Sequence, residues 1–581
     1  MTPPRFLIGM SLSDDDRGRL LGALRCLDLS VVCDRDSLLV AATSDTPVLP
    51  LGEKGLVIGH VYAAGIAGHL TAFDPVHATS ISTSCGARLA EAWWGDYVAI
   101  IQRDSGETAL LRSPLGRLSC LFRRTATGLI AASDLDMLQV ATGTRPSLDY
   151  PAIVRQLMVG SMRRPATGIA QVEEVQGGDR ITVTPSGLSR KAVWSPWTFV
   201  QPDRLIHDEE DACTRLRHTA RACISARTGT AARPLLMLSG GLDSSLVAAC
   251  LAHSPRDFEC LNLATVASAG DERDYARIVA RHFGQRLVER IMSAPSANLE
   301  SLAAVRLPRP TASSFEQSLF SIAGEIAEEL DCDAVVDGGG GDNVFGSLQS
   351  ASPAADCLLD PEGWRHFGRL CRDIGEIAHA SKWKVAWRAR RRAWNCARPY
   401  RWSTDTRFLS ADTAALAKDA AHHPWIDDNS VHLPGRAAHI AMIVAAQGVV
   451  EDGPYGAKSR VLSPLLAQPL VEHCLSIPSW MWFAGGRNRA AARRAFEGHL
   501  PHEIAWRRSK GAPDSFAIDL FERNRATIRD ALAGGLLDQA GTIDLVPIMK
   551  VIDDPRPVGG TDYSRVMDIF DTEVWARSIR G

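Results

Sequence analysis

The chain has 581 residues, 45% of them hydrophobic and 23% charged, a balance that excludes a disordered polypeptide and predicts two or more domains with substantial cores. The formal net charge of -3 excludes a global basic excess of the kind that holds a protein to nucleic acid. The thirteen cysteines include no CxxC pair, which favours reduced thiols in a cytosolic enzyme over a disulfide framework or a zinc site. The N-terminus lacks a signal-peptide pattern, and no apolar run reaches the roughly 18 residues of a membrane span, so a cytoplasmic protein is expected.

Residues 1–200 carry short segments of strand character: RFLIGMSL, GLVIGHVYAAG, GDYVAIIQRD, TALLRS, GLIAAS and RITVTP. Gly, Asp and Ser separate them, which predicts stacked antiparallel sheets with a few helices between. The proline-bearing stretch WSPWTFVQPDR (194–204) reads as a linker. Over 201–581 the rhythm changes. The apolar runs PLLML, FECLNLA, RLVERI and DAVVDGGGG alternate with helical patterns, in which Tyr275, Ile278, Val279 and Phe283 form one stripe and Leu319, Ala323, Ile326 and Leu330 another. That alternation predicts a doubly wound parallel sheet. Beyond residue 350 the chain reads as helical. Between Lys382 and Arg401 lie Lys382, Lys384, Arg388, Arg390, Arg391, Arg392, Arg398 and Arg401 with no acid, interleaved with Trp383, Trp387 and Trp394, the pattern of a basic amphipathic helix or of a solvated charged face.

Two glycine loops carry the chemistry. LSGGLDSS places Leu238, Ser239, Gly240, Gly241, Asp243, Ser244 and Ser245 between an apolar strand and a helix. Glycines let backbone approach a phosphate, and the amides opening the helix point at the anion. No Lys follows as in a Walker A loop. Asp243 is an acid inside an anion site, and a cation between them removes the conflict; magnesium takes carboxylate and phosphate oxygens together. The second loop, VVDGGGGDNVFG, holds Gly338 and Asp342 behind another short strand. Read singly, each loop is also an ordinary turn with a capping Asp. Read together, they predict that Asp243 and Asp342 share one magnesium on a nucleotide pyrophosphate.

SGGLDSS resembles the pyrophosphate loop of the ATP-pyrophosphatase superfamily, and with DGGGGDNVFG it resembles the synthetase domain of the asparagine synthetase family. NRAAARRAFEGHLPHEIAWRRSKGAPDSF (488–516) is similar to that family's C-terminal lysine segment, and LAEAWWGDYVAIIQRDSGETALLRSPLGRLSCLFRRTATGLIAASDLDML to its N-terminal glutaminase-type domain. The resemblance implies an α/β protein: a degenerate glutaminase-like sandwich of the N-terminal nucleophile hydrolase type at 1–200, then an ATP-pyrophosphatase-like domain with helical additions at 201–581. It implies ATP and Mg2+ as cofactors, the LSGGLDSS residues and Gly338 around the ATP phosphates, Asp243 and Asp342 on the metal, and Lys510 as the cation that neutralises phosphate charge. A lone Lys in an Arg-rich surface segment is the plain alternative for Lys510.

Departures from the family pattern select the substrate. Glutamine-hydrolysing members begin with Cys at position 2, whereas this chain begins Met1, Thr2, Pro3, and no glutamine-gripping turn is evident near residues 45–85. An enzyme without an ammonia supply needs an amine within its substrate, as in the β-lactam synthetases and in the macrolactam synthetases that close lasso peptides. Gly339 stands where the family usually has Glu and the β-lactam branch Tyr, leaving room for a bulky substrate. A peptide α-amine, about a tenth neutral at pH 7, needs only a weak base. Glu451 and Asp452 are candidates for such a base or members of a solvated loop. The resemblance therefore points to a lasso peptide cyclase acting on a leader-free precursor core peptide, with a leader peptidase and a leader-binding protein as partners. A β-lactam-type synthetase, an ammonia-dependent asparagine synthetase and a non-catalytic peptide-binding relic are the alternatives.

Overall fold

The computed structural model describes residues 4–35, 37–63, 68–103, 105–184, 187–254, 257–265, 271–292, 299, 307–311, 313–416, 420–428, 431–451, 459–508, 514–556 and 558–580. Met1, Thr2, Asp452 and Lys510 lie outside these residues.

Among the described residues the N-terminal part has twelve strands: β1 (Phe6–Met10), β2 (Ser30–Arg35), β3 (Leu38–Ala42), β4 (Val48–Pro50), β5 (Gly55–Ala63), β6 (Trp93–Gln102), β7 (Thr108–Arg112), β8 (Leu121–Arg124), β9 (Leu129–Ala132), β10 (Glu173–Glu174), β11 (Asp179–Thr184) and β12 (Gly187–Ala192). They form two six-stranded antiparallel sheets, ordered β10-β8-β9-β1-β3-β2 and β12-β11-β7-β6-β5-β4. Side chains alternate along each strand. Phe6, Ile8, Val40 and Ala131 of one sheet thus meet Ile58, Val98, Ile100 and Ile181 of the other in a dry inner layer. Leu7, Leu39 and Ile130 point outward to α1 (Asp14–Leu24) and α4 (Leu135–Thr142), while Val57, Val61 and Ala99 meet α2 (Pro75–Thr83) and α3 (Ala87–Ala92). The result is an α/β sandwich of four layers, with the stacked antiparallel sheets that the sequence predicts and the sandwich class that the family resemblance implies.

The second part follows α5 (Glu209–Thr228) and holds a five-stranded sheet of β13 (Pro234–Met237), β14 (Glu259–Thr265), β15 (Leu287–Met292), β16 (Ala334–Val336) and β17 (Arg460–Leu462). Every pairing is parallel and the order is β15-β14-β13-β16-β17. The crossovers run through α6 (Leu242–Leu251), α7 (Arg273–His282) and α8 (Ser314–Glu329). All ten residues of α6 are buried, which explains why its last six, Leu246 to Leu251, are apolar on every side. β17 was not expected; it joins the sheet from a region that otherwise reads as helical. That region supplies α9 (Ser352–Leu359), α10 (Phe367–Ile377), α11 (Lys382–Trp394), α12 (Pro434–Glu451) and α13 (Ala490–Ala495).

The two parts are fastened by buried polar contacts. The stretch expected as a linker folds into two short 3-10 helices and is wedged rather than loose. Trp194 donates its Nε1–H to Glu472 at 2.7 Å and Trp197 donates to the Trp425 carbonyl at 2.8 Å. Asp96 of β6 pairs with Arg227 of α5 at 3.0 Å. Deeper still, Arg112, Arg163 and Glu174 of the sandwich interlock with Arg309 and Glu451, every side chain at most 4% exposed. Glu451 is therefore neither a solvated loop residue nor a free base. It ends α12 inside the protein, where two arginines and the Gln447 amide hold it.

Candidate active site

In an open parallel sheet the ligand crevice forms where strand order reverses, at the carboxyl ends of the strands. Here that point lies between β13 and β16, because β14 and β15 extend to one side and β17 to the other. The loops leaving β13 and β16 are LSGGLDSS and DGGGGDNV. Each apolar run ends in glycine because the chain must turn tightly there. Gly240 has φ +70°, and a Cβ on it would meet the Tyr275 backbone at 2.5 Å.

The loops touch. A Cβ at Gly338 would lie 2.9 Å from the Ser244 amide, and one at Gly341 would lie 2.6 Å from the Asp243 carboxyl carbon. Asp243 and Asp342 converge on one side chain, Arg489, whose Nη1 is 2.9 Å from the first carboxylate and 2.6 Å from the second. Arg489 precedes α13 with a left-handed backbone, φ +57°, a conformation that an arginine adopts only at some cost. Behind it Arg493 is buried, and burial, together with Arg489 and Arg487, brings its pKa down to about 10 against the pull of the two aspartates.

Around this centre, Leu238 is buried and its carbonyl accepts from Asn262 at 2.8 Å. Ser244 Oγ lies 3.1 Å from Ser239 Oγ, and Ser239 Oγ accepts from the Gly241 amide at 3.2 Å. Gly241 caps α6 without a side chain, so the opening turn of the helix faces the crevice with its backbone amides. Ser245 is fully buried. Arg507 lies 3.5 Å above the Tyr275 ring, pairs with Glu272 at 2.8 Å and donates to the Gly240 carbonyl, so it braces the glycine turn. Gly339 donates its amide to Asp337 at 2.8 Å, and a Cβ there would press on the same carboxylate at 2.9 Å. Burial raises the Asp337 pKa against the opposing hydrogen bonds from Gly339 and Ser463.

The structure thus brings Leu238, Ser239, Gly240, Gly241, Asp243, Ser244, Ser245, Gly338 and Asp342 to the place where the two loops meet, with Leu238 and Ser245 fully buried. Three residues of that crevice were not anticipated. Asp337 stood in the second loop and carried the signal of an acid directly after a strand. Arg489 and Arg507 carried no signal beyond membership of an Arg-rich segment.

An asparagine synthase family model matches residues 215–577, a span that contains the whole parallel sheet and both loops. The chain belongs to the asparagine synthase family. Members of the asparagine synthase family are ATP-dependent amide-forming ligases that yield AMP and pyrophosphate. No curated protein matches the chain. Among solved structures, an allosteric regulatory enzyme of purine biosynthesis is 11% identical with a TM-score of 0.21, over 51% of this chain and 82% of that one. The glutamine phosphoribosylpyrophosphate amidotransferase from B. subtilis, complexed with ADP and GMP, is 11% identical with a TM-score of 0.22, over 57% and 90%.

As a member of the asparagine synthase family the chain uses ATP, and the crevice between the two loops has donors suited to the nucleotide's phosphates: amides at the start of α6, serine hydroxyls and arginines. Among the described residues no three His, Cys, Asp or Glu side chains gather into a metal cage. Magnesium needs none, since it is commonly held by one or two carboxylates together with substrate phosphates, and two carboxylates aimed at one positive group match that donor set. No helix among the described residues is long and apolar enough to cross a membrane.

Proposed function

We propose that this protein is a lasso peptide cyclase: residues 201–581 adenylate an Asp or Glu side chain of a leader-free core peptide, and the peptide's own N-terminal amine closes the macrolactam. In the first step a carboxylate oxygen attacks the α-phosphorus and pyrophosphate leaves. In the second the amine nitrogen attacks the acyl carbon, AMP leaves with that oxygen, and the amine gives up a proton. The peptide loses one water overall. Residues 1–200 are assigned as a glutaminase-like domain that no longer supplies ammonia.

The convergence of Asp243 and Asp342 beside the Ser239–Ser245 loop is the observation that carries the reading. Asp243 and Asp342 would hold Mg2+, which supplies charge neutralisation on the leaving pyrophosphate. The α6 amides, Ser239 and Ser244 orient the phosphates, Arg489 is placed to contact them, and Lys510 is assigned as the cation facing the charge that develops at phosphorus. Gly339 supplies no proton-transferring side chain, which suits a peptide α-amine that needs only a weak base. Holding the peptide prefolded makes ring closure effectively unimolecular, a gain of about 7 kcal/mol or more when the geometry is right.

Incubation with ATP, Mg2+ and candidate substrates tests the proposal. AMP release that requires a leader-free peptide, with a product lighter by one water, is the expected result. Asparagine formed from aspartate and ammonia, a β-lactam formed from a small precursor, or peptide binding without nucleotide turnover would each contradict it.

A further inference from the structure

The face of α11 has no place in the chemistry above. Its packed side is short: Val385, Ala386 and Ala389 are buried. Trp383, Trp387 and Trp394 project the other way with exposures of 73, 59 and 89%. At 100° per residue they fall within about 40° of one another around the helix axis, so three indoles form a single ridge. Exposed indoles on this scale are costly in water and mark a surface that is covered in use. Trp364, on the 3-10 helix just before α10, is also exposed, at 64%.

Cations flank the ridge. Arg390 lies on one side and Lys384, Arg388 and Arg391 on the other, and none has an acidic partner among the described residues. Several surface arginines elsewhere are paired, as Arg407 is with Asp405 and Arg277 with Glu289. Lys382 sits 5.0 Å from the Trp383 ring and Arg391 5.8 Å from that of Trp387, which keeps charge and indole at one level. Within a chain of net charge -3, this is a local basic field. Like charge is already felt, because burial and then Arg388 lower the Arg392 pKa.

We propose that this face docks peripherally on an anionic lipid surface, indoles at the headgroup level and cations on the phosphates. Trp favours that depth, and each Lys or Arg near an anionic leaflet contributes about 1 kcal/mol. Trp387, Arg388, Arg391, Arg392, Asn395 and Arg398 line a hollow of about 600 Å³, room for a phosphate-bearing headgroup rather than for a long strand. A single strand of nucleic acid would instead require a groove that tracks its backbone.

Cosedimentation of the full chain with vesicles tests this. Binding is expected to phosphatidylcholine mixed with phosphatidylglycerol, with a blue-shifted Trp emission, and not to phosphatidylcholine alone; high salt should release it. Trp383→Ser/Trp387→Ser/Trp394→Ser and, separately, Arg388→Gln/Arg391→Gln should each weaken binding by about tenfold or more, with melting temperatures near that of the unaltered chain because these side chains are exposed. Equal binding to both vesicle types, or unchanged binding by either variant, would overturn the proposal. So would release of the protein from vesicles by a single-stranded oligonucleotide that binds it more tightly, or by an acidic protein partner.

Discussion

Gly341 lies against Asp243 so closely that a single added methyl group would sit 2.6 Å from the carboxyl carbon. The second glycine loop is therefore shaped by an aspartate 98 positions earlier in the chain. Gly341→Ala should push the Asp243 carboxylate off its position while leaving the sheet intact. We expect AMP formation to fall on the order of 100-fold with an unchanged far-ultraviolet circular dichroism spectrum. Wild-type turnover by this variant would show that the placement of Asp243 is immaterial.

Arg489 neutralises both aspartates. Arg489→Ala removes the cation that touches both carboxylates, which should lower stability by about 1–3 kcal/mol in metal-free buffer. Added Mg2+ should then raise the melting temperature of the variant more than that of the unaltered protein. Equal shifts would place the metal elsewhere.

Glu472 supplies a pH dependence. Burial pushes its pKa up to about 7 against the hydrogen bonds from Trp194 and Gln468, from 4.5 in the unfolded chain. Between those values the folded protein binds the extra proton, so this group's contribution to stability is present at low pH and is lost as pH rises from about 4.5 to 7. Glutamine is a neutral mimic whose oxygen accepts the same two bonds. Glu472→Gln should match the unaltered protein near pH 5 and exceed it by on the order of 1–3 kcal/mol at pH 8, as read by denaturant unfolding at each pH. A constant difference across that range would refute the assignment.

The buried charge cluster predicts a larger loss. Burial alone would raise the Glu174 pKa, but Arg163, Arg309 and Arg112 outweigh it and hold the carboxylate far below its usual range. Arg309→Met removes one of these partners and the carbonyl contact to Arg164. A cost of about 3–5 kcal/mol is expected, measured by chemical denaturation. A change below about 0.5 kcal/mol would mean that the cluster does not hold the two parts together.

The sequence made much of this architecture legible, for reasons that also mark its limits. β13 and β16 are apolar runs ending in glycine, and the helices after β14 and β15 show a clear stripe, so the parallel sheet and its two loops could be read directly. β2 could not, because five of its six residues are exposed and no alternation survives on an edge strand. β17 has three residues, too few for any period. Arg489 lies 246 positions from Asp243 and stands among Arg487, Arg493 and Arg494. Only the packing of α13 against the crevice selects it from its neighbours. Glu451 misled because a polar pair before a glycine resembles a loop, whereas the arginines that bury it come from distant parts of the chain.

Transfer of isotope from carboxylate to nucleotide tests the central claim most directly. A leader-free peptide whose side-chain carboxyl carries oxygen-18, incubated with ATP and Mg2+, should yield labelled AMP and unlabelled pyrophosphate, because adenylation joins a carboxylate oxygen to the α-phosphorus. Labelled inorganic phosphate together with ADP would contradict the account.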